Sequence, residues 1–457
     1  MRRIAIIGGG IAGLTAAWEL ARSGVPVEVT LFEASGRLGG IVETVREQGF
    51  TIECGPDGWV TEKPWARQLA EELGLGGEII PSNDATRKTY ILLDGALVAM
   101  PEGMRMMVPG DLAALDASPL FSSQAKYDFH REIFRAEELK TAAPDEDESV
   151  AAFVRRHFGD EVLEKIGAPL LSGVFGGDVA TLSVRAVMAP FVAMEKEHGS
   201  LIAAVQARSK GLSSSIFTTL RGGLGSLIDA MVATIPPSWI RFETPVTGLL
   251  KTDGGWTVRT ASGVEKFDAV LLAAPVHIAS ELLRDPDSRA AELMQMDASS
   301  AVVVAFGFDC LFELPPGFGF LVPPGTSAAN SLLATTFVDQ KFDARAPEGG
   351  RLIRAFFGGE AGARLLGEPD STLIALARTE LEAILGPLPM PVVTVVRRWP
   401  RSLPQYAVGH LERMAELDGR IHTLGGLWLL GNGYRGVGLP DLIRDARAAV
   451  LDCLGGF

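Results

Sequence analysis

Cysteine is scarce: Cys54, Cys310 and Cys453 stand far apart with no C-x-x-C pair, so neither a disulfide framework nor a zinc site is expected. A reducing cytoplasm suits that usage. The six histidines are widely spaced, with no H-x-x-x-H and no acidic cluster at ligand spacing, and no metal is expected. No run of about 18 apolar residues occurs, which argues against a spanning helix. The first strand begins within three residues of Met1, leaving no space for a cleaved leader. Positive charge is also in deficit: 42 Lys and Arg against 56 Asp and Glu give −14, the wrong sign for a nucleic-acid partner.

What the chain does have is glycine in one informative place. Arg3-Ile4-Ala5-Ile6-Ile7 is an apolar run of the kind buried on both faces of a parallel sheet. Gly8-Gly9-Gly10-Ile11-Ala12-Gly13 follows and supplies G-x-G-x-x-G. Leu14 to Ala21 reads as a helix, and Val27 to Phe32 as a second strand that closes on Glu33, 20 positions after Gly13. In such a βαβ unit Gly8 permits the tight turn, Gly10 lets a pyrophosphate approach the backbone, and Gly13 lets helix and strand pack closely. The helix N-terminus faces the phosphates and Glu33 can accept from ribose hydroxyls.

Glu33 continues into Arg37-Leu38-Gly39-Gly40, an extension that resembles the FAD signature of the amine-oxidase-like flavoproteins. Further on, Ile41 to Thr51 alternates like a hairpin turning at Gln48-Gly49, and leads into the rigid turn Gly55-Pro56-Asp57-Gly58. Lys88 to Met100 reads as a hairpin around Asp94-Gly95. Pro101 to about Thr181 is patterned as helix, with Met104, Met106, Met107 and Val108 forming an apolar patch best read as core. Trp239 to Leu250, Ser299 to Phe308, Ser331 to Val338, Arg351 to Phe357 and Val392 to Trp399 are strand-like. Arg397 and Arg398 would then point to opposite faces. Leu427 to Leu430 enters the glycine-rich turn Gly431 to Pro440 and a helix follows, so a second loop can bring backbone amides to the same nucleotide.

Taken in order, these segments resemble the protoporphyrinogen/coproporphyrinogen oxidases of haem biosynthesis. The motifs that carry the likeness are Gly55-Pro56-Asp57-Gly58, the stretch Gly173-Val174-Phe175-Gly176-Gly177-Asp178 with Leu182-Ser183-Val184-Arg185, and Glu197-His198-Gly199-Ser200-Leu201. Gly222-Gly223-Leu224, Trp399-Pro400, Leu403-Pro404-Gln405-Tyr406, Gly409-His410 and Gly431 to Pro440 complete the set.

The resemblance implies an α/β chain: a discontinuous Rossmann-like FAD domain (1–84, 222–275 and 423–457), an α+β substrate domain with a mixed sheet (85–100, 185–221 and 276–422), and a helical insertion (101–184) facing substrate or membrane. It implies FAD contacts at Gly8, Gly9, Gly10, Ile11, Ala12, Gly13, Glu33, Arg37, Gly40, Ile41, Gly55, Pro56, Asp57, Gly58, Val246, Asn432, Val437, Gly438 and Leu439. For substrate it points to Gly173 against the tetrapyrrole and to Arg87, Lys88 and Arg185 as cations for propionates. A salt-bridge role competes for Arg185, and a structural role is expected of His410 and His277.

The implied activity is six-electron aromatisation of protoporphyrinogen IX, with oxygen as acceptor and peroxide as product; coproporphyrinogen III is the alternative substrate. The flavin carries that chemistry, and no protein acid, base or triad is assigned. An amine oxidase or carotenoid desaturase on the same scaffold is disfavoured. Four tyrosines offer no clear aromatic pair, and strong membrane-seeking segments are lacking. A non-catalytic porphyrin carrier is the reading from another class. The implied location is cytoplasmic, with peripheral membrane contact and a homodimer left open.

Overall fold

The computed structural model describes residues 1–208, 215–326 and 331–455. Strand β1 (Arg2–Ile7) pairs in parallel with β2 (Val27–Phe32), from Arg2 opposite Val27 to Ile7 opposite Phe32, and helix α1 (Ile11–Arg22) joins them. Ile240–Arg241 lies outside β2, while Ala269–Leu272 and then Leu427–Leu429 lie on the other side of β1, all parallel. Helices cover the face of Ile4 and Ile6, and the three-stranded antiparallel sheet Val246–Thr252, Gly255–Thr260, Gly263–Phe267 with further helices covers that of Ala5 and Ile7, so Ile4, Ala5 and Ile6 are fully buried, which explains the unbroken apolar run. The chain leaves β1 to one side and later returns to the other. That reversal opens a crevice at the carboxyl end of β1, where doubly wound sheets bind ligands.

A second, seven-stranded sheet runs in the order Val393–Pro404, Ala298–Phe308, Arg351–Phe357, Ala334–Phe337, Gly319–Leu321, Thr89–Leu93, Ala96–Ala99. All its pairings are antiparallel except Gly319–Leu321 with Thr89–Leu93, so the sheet is mixed. Helix Asp370–Leu385 covers one face with Leu373, Ala377 and Leu381, spaced four apart. A separate helical core is built on Phe129, Phe153, Phe158 and Leu163. It contains a π-helical turn, Leu163–Gly167, directly before helix Ala168–Phe175.

Two expectations are corrected. Residues 101–111 are not helical: Met104–Arg105 pairs with Val108–Pro109 around Met106 at φ +53°, and the first helix of the insertion begins at Leu112. Pro101, Gly103 and Pro109 deny the segment a continuous helix, though Met107 and Val108 are buried in the helical core as read. The stretch Trp239 to Leu250 is two strands, because Glu243 takes a positive φ and Pro245 has no amide to donate. Residues 209–214, assigned to the substrate side, lie outside the described residues.

Candidate functional site

The crevice at β1 has the shape its glycines suggest. A side chain at Gly8 (φ +107°) would run into the Ala273 carbonyl, and one at Gly13 into the Gly8 carbonyl, so both positions admit only glycine. Gly10 differs: its missing Cβ would point into open space, with the Gly40 Cα 3.9 Å away. Gly10 is also the N-cap of α1, and no side chain caps it, so the first-turn amides at Ile11 and Ala12 are left for an anion.

At the end of β2, Glu33 accepts from the amides of Gly9 and Ser35, both at 2.8 Å, and from the Ser35 hydroxyl at 2.7 Å. The loop from Gly36 to Gly40 folds back on the glycine turn through Gly39 N–H to Gly9 O, 2.8 Å. Arg37 donates to the Gly40 carbonyl and lies 3.6 Å from Glu43, with its guanidinium 5.6 Å from the Trp399 ring centre. Thr244 N–H bonds the Glu33 carbonyl at 2.8 Å, which brings the strand beginning at Val246 to the ribose side. A cradle open at Gly10, an uncapped helix terminus and a carboxylate at the strand end fit a dinucleotide.

The turn Gly55-Pro56-Asp57-Gly58 is wedged against Ile41, whose carbonyl a Cβ on Gly55 would strike. It is tied to the second sheet by charge. Lys341 donates to both Asp57 oxygens at 2.9 and 3.0 Å, and Arg354 lies 3.6 Å from Asp57 while donating to the Gly55 carbonyl. Burial pushes the Asp57 carboxyl up, but Lys341 and then Arg354 outweigh it and hold the group below the ordinary carboxylate range.

One step deeper, fully buried Arg345 donates to Thr219 Oγ1 at 2.7 Å and sits 3.5 Å from Glu53. Glu53 also accepts from Thr44 Oγ1 and Leu224 N–H, both at 2.7 Å. Burial raises the Glu53 carboxyl and lowers the Arg345 guanidinium. Trp399 Nε1 donates to the Cys54 carbonyl at 2.7 Å, and Arg397 pairs with Glu43 at 2.6 Å. Burial raises Glu43 too, yet the Arg397 hydrogen bond and the nearby Arg37 bring it below its usual range.

Lys341, Arg345 and Arg354 were not anticipated. Arg354 carried a legible signal, because a charge inside Leu352-Ile353-Arg354-Ala355-Phe356 on a buried strand demands a buried partner.

The second glycine-rich loop closes the crevice. Leu430 N–H bonds the Leu272 carbonyl at 2.9 Å, Gly431 takes φ +127°, and helix Leu439–Gly455 starts directly after Val437 and Gly438. Asn432 is held through its side-chain amide on the Ser402 carbonyl, 2.8 Å. Asp441, buried in the first turn, accepts from Lys63 at 2.6 Å.

The residues expected on the substrate side do not converge in the same way. Gly173 is exposed on Ala168–Phe175, and a Cβ there would lie 3.6 Å from Leu321, placing it between the helical core and the parallel pair of the second sheet. Lys88 is exposed and precedes the strand paired to Gly319–Leu321; Arg87 lies 3.7 Å from Asp84. Arg185 is engaged elsewhere, donating to the carbonyls of Pro144 and Asp145 with Glu412 at 4.0 Å, in line with its salt-bridge reading. His410 is buried, its Nε2 on the Tyr434 carbonyl at 2.9 Å, and burial lowers its pKa. Arg397 and Arg398 diverge as expected, Arg398 pairing with Asp370 at 2.7 Å.

A family model described as flavin containing amine oxidoreductase matches residues 11–450. The chain is 33% identical over 473 residues to the coproporphyrinogen III oxidase of Bacillus subtilis (strain 168), covering 99% of this chain and 98% of that protein. It is 29% identical over 476 residues to the chloroplastic protoporphyrinogen oxidase of Oryza sativa subsp. japonica, covering 96% and 86%. Among solved structures, a protein of Exiguobacterium sp. 255-15 assigned as a protoporphyrinogen oxidase superposes with a TM-score of 0.87 at 34% identity, covering 100% of this chain and 99% of that one.

Proposed function

The chain belongs to the flavin containing amine oxidoreductase family, and from that premise we propose that it is an FAD-dependent oxidase converting a porphyrinogen to the corresponding porphyrin. The observation that carries this reading is end-to-end similarity to a coproporphyrinogen III oxidase, covering 99% of this chain. Protoporphyrinogen IX, with two propionates, and coproporphyrinogen III, with four, both fit. The Bacillus subtilis relative's name favours the four-propionate substrate, while the Exiguobacterium protein at 34% identity carries the two-propionate name, so the rate comparison below decides between them.

Bound flavin supplies a two-electron acceptor, and aromatising a porphyrinogen requires three two-electron withdrawals. The chain's own contribution is binding and orientation. The first-turn amides and Gly10 receive the pyrophosphate, and Glu33 turns its carboxylate to the ribose. Gly55 to Gly58, backed by Lys341 and Arg354, and the loop from Asn432 to Leu439 close over the cofactor. Gly173 offers a surface without a side chain to the tetrapyrrole, with Arg87 and Lys88 as the propionate cations. Molecular oxygen is the proposed final acceptor.

The test is to compare oxidation of the two porphyrinogens under air, following porphyrin fluorescence. Oxidation of coproporphyrinogen III above the spontaneous rate is expected; failure on both substrates overturns the reading. Anaerobic mixing separates enzyme from carrier, since only an enzyme bleaches the visible flavin absorbance.

A further inference from the structure

Gln405 and Tyr406 are adjacent in sequence, yet their side chains fasten two different parts of the molecule. The Tyr406 hydroxyl donates to the Asn432 carbonyl at 2.7 Å and accepts from Gly436 N–H at 3.1 Å, so it bridges the second glycine-rich loop from within. Its ring stacks on His410, with centroids 3.9 Å apart and planes within 10°. His410 Nε2 donates in turn to Tyr434 in the same loop.

Gln405 faces the other way. Its Nε2 donates to the Phe175 carbonyl at 2.7 Å and the Leu403 carbonyl at 2.8 Å, and a Cβ on Gly177 would collide with its amide oxygen. Ser299 Oγ donates to the Gly176 carbonyl beside it. The backbone continues the seam: Ser183 N–H bonds the Tyr406 carbonyl at 2.7 Å, Val408 N–H the Thr181 carbonyl at 3.0 Å, and Gly409 N–H the Asp147 carboxylate at 3.0 Å.

These contacts are directional bonds, most of them to backbone, and Gln405 and Tyr406 are almost fully buried, so a shift on one side must be felt on the other. We propose that Gln405 and Tyr406 are positioning residues that couple the FAD-closing loop Asn432 to Gly438 to the helix end and turn at Gly173 to Gly177, so that filling the tetrapyrrole site tightens retention of FAD. The proposal rests on the function proposed above, which places FAD on one side of the seam and porphyrin on the other. The coupling is reciprocal by linkage.

The test uses the full-length holoenzyme and two near-isosteric variants, Tyr406→Phe and Gln405→Leu. Free FAD is separated by ultrafiltration and its dissociation constant measured with and without saturating coproporphyrin III. In the wild type the porphyrin should tighten FAD binding by about fivefold or more. Tyr406→Phe keeps the stack on His410 but loses both hydroxyl bonds; it should weaken FAD by about tenfold and abolish the porphyrin effect. Gln405→Leu should leave FAD affinity without porphyrin unchanged, abolish the porphyrin effect and raise KM more than it lowers kcat. If either variant fails to fold, Ser299→Ala, which deletes one hydroxyl bond to the same turn, should show reduced coupling at an unchanged Tm.

Wild-type coupling retained in the variants, or a wild type that binds porphyrin with no change in FAD affinity, overturns the proposal. A wild type that binds no porphyrin overturns the proposed function instead, and the FAD affinity of Tyr406→Phe then decides the tie alone.

Discussion

Gly10 is the residue proposed to meet the pyrophosphate. Its missing Cβ points into the crevice, so Gly10→Val should fill the pyrophosphate position and leave a folded, colourless protein. The ratio of visible to protein absorbance after purification measures this, and full FAD occupancy would contradict the placement. The Glu53–Arg345 pair makes a different demand. Both side chains are fully buried, and Arg345→Leu strands a carboxylate without its cation. A loss of about 3–5 kcal/mol is expected in denaturant melts, with partial recovery when Glu53→Gln is added.

Asp57 sets an acid-side dependence. Its folded pKa is depressed, so the unfolded chain binds more protons as pH falls through the ordinary carboxylate range, and stability falls with it. The contribution is complete above roughly pH 4 and is lost as pH drops through the folded value. Asp57→Asn should therefore flatten the stability profile below about pH 4, and an unchanged slope would assign the acid sensitivity elsewhere. Neither pair was visible in the chain. Glu53 and Arg345 are joined only by the fold, and no local pattern announces a partner so distant in sequence.

Elements were easier to read than charges, because their signals are local. β1, α1 and β2 follow from apolar runs and punctuating glycines, and the hairpins turning at Gln48-Gly49 and Asp94-Gly95 stand where the alternation placed them. The failure at residues 101–111 shares that cause: four apolar residues in five look helical until Met106 adopts the left-handed region and folds them into a ribbon. Packed on the helical core through Phe191 and Met194, helix Ala189–His198 ends at Gly199, where φ is +72° and a Cβ would strike the Ala136 carbonyl. Gly199→Ala should cost about 2 kcal/mol or more, read as a lower urea midpoint. A wild-type midpoint would show that this helix and Ala136–Ala142 can part.

At the scale of the whole molecule, no helix among the described residues is long and apolar enough to cross a membrane. The net charge of −14 opposes adhesion to anionic lipid. In flotation with phosphatidylglycerol vesicles the protein should stay at the bottom of the gradient; co-flotation at physiological salt would restore the peripheral contact left open above. The crevice proposed for the nucleotide is lined by both glycine loops, and each strand-turn-helix pattern was legible in the sequence. The proposed tetrapyrrole side was harder to read, because Gly173 on helix Ala168–Phe175 and Arg87 and Lys88 before strand Thr89–Leu93 come from separate parts of the chain.

The parallel sheet has a consequence for how the protein is made. Leu427–Leu429 and helix Leu439–Gly455 complete a layer whose first strand is Arg2–Ile7. The glycine turn therefore leaves the ribosome long before the loop proposed to close over FAD. At about 5–20 residues per second the early half of the crevice waits for many seconds with its helical and sheet insertions already emerging. On the proposed placement, cofactor capture then waits for Leu427–Gly455. Nascent chains stalled before residue 427 should hold no flavin, and riboflavin starvation should leave a pool of full-length apoprotein rather than arrested fragments.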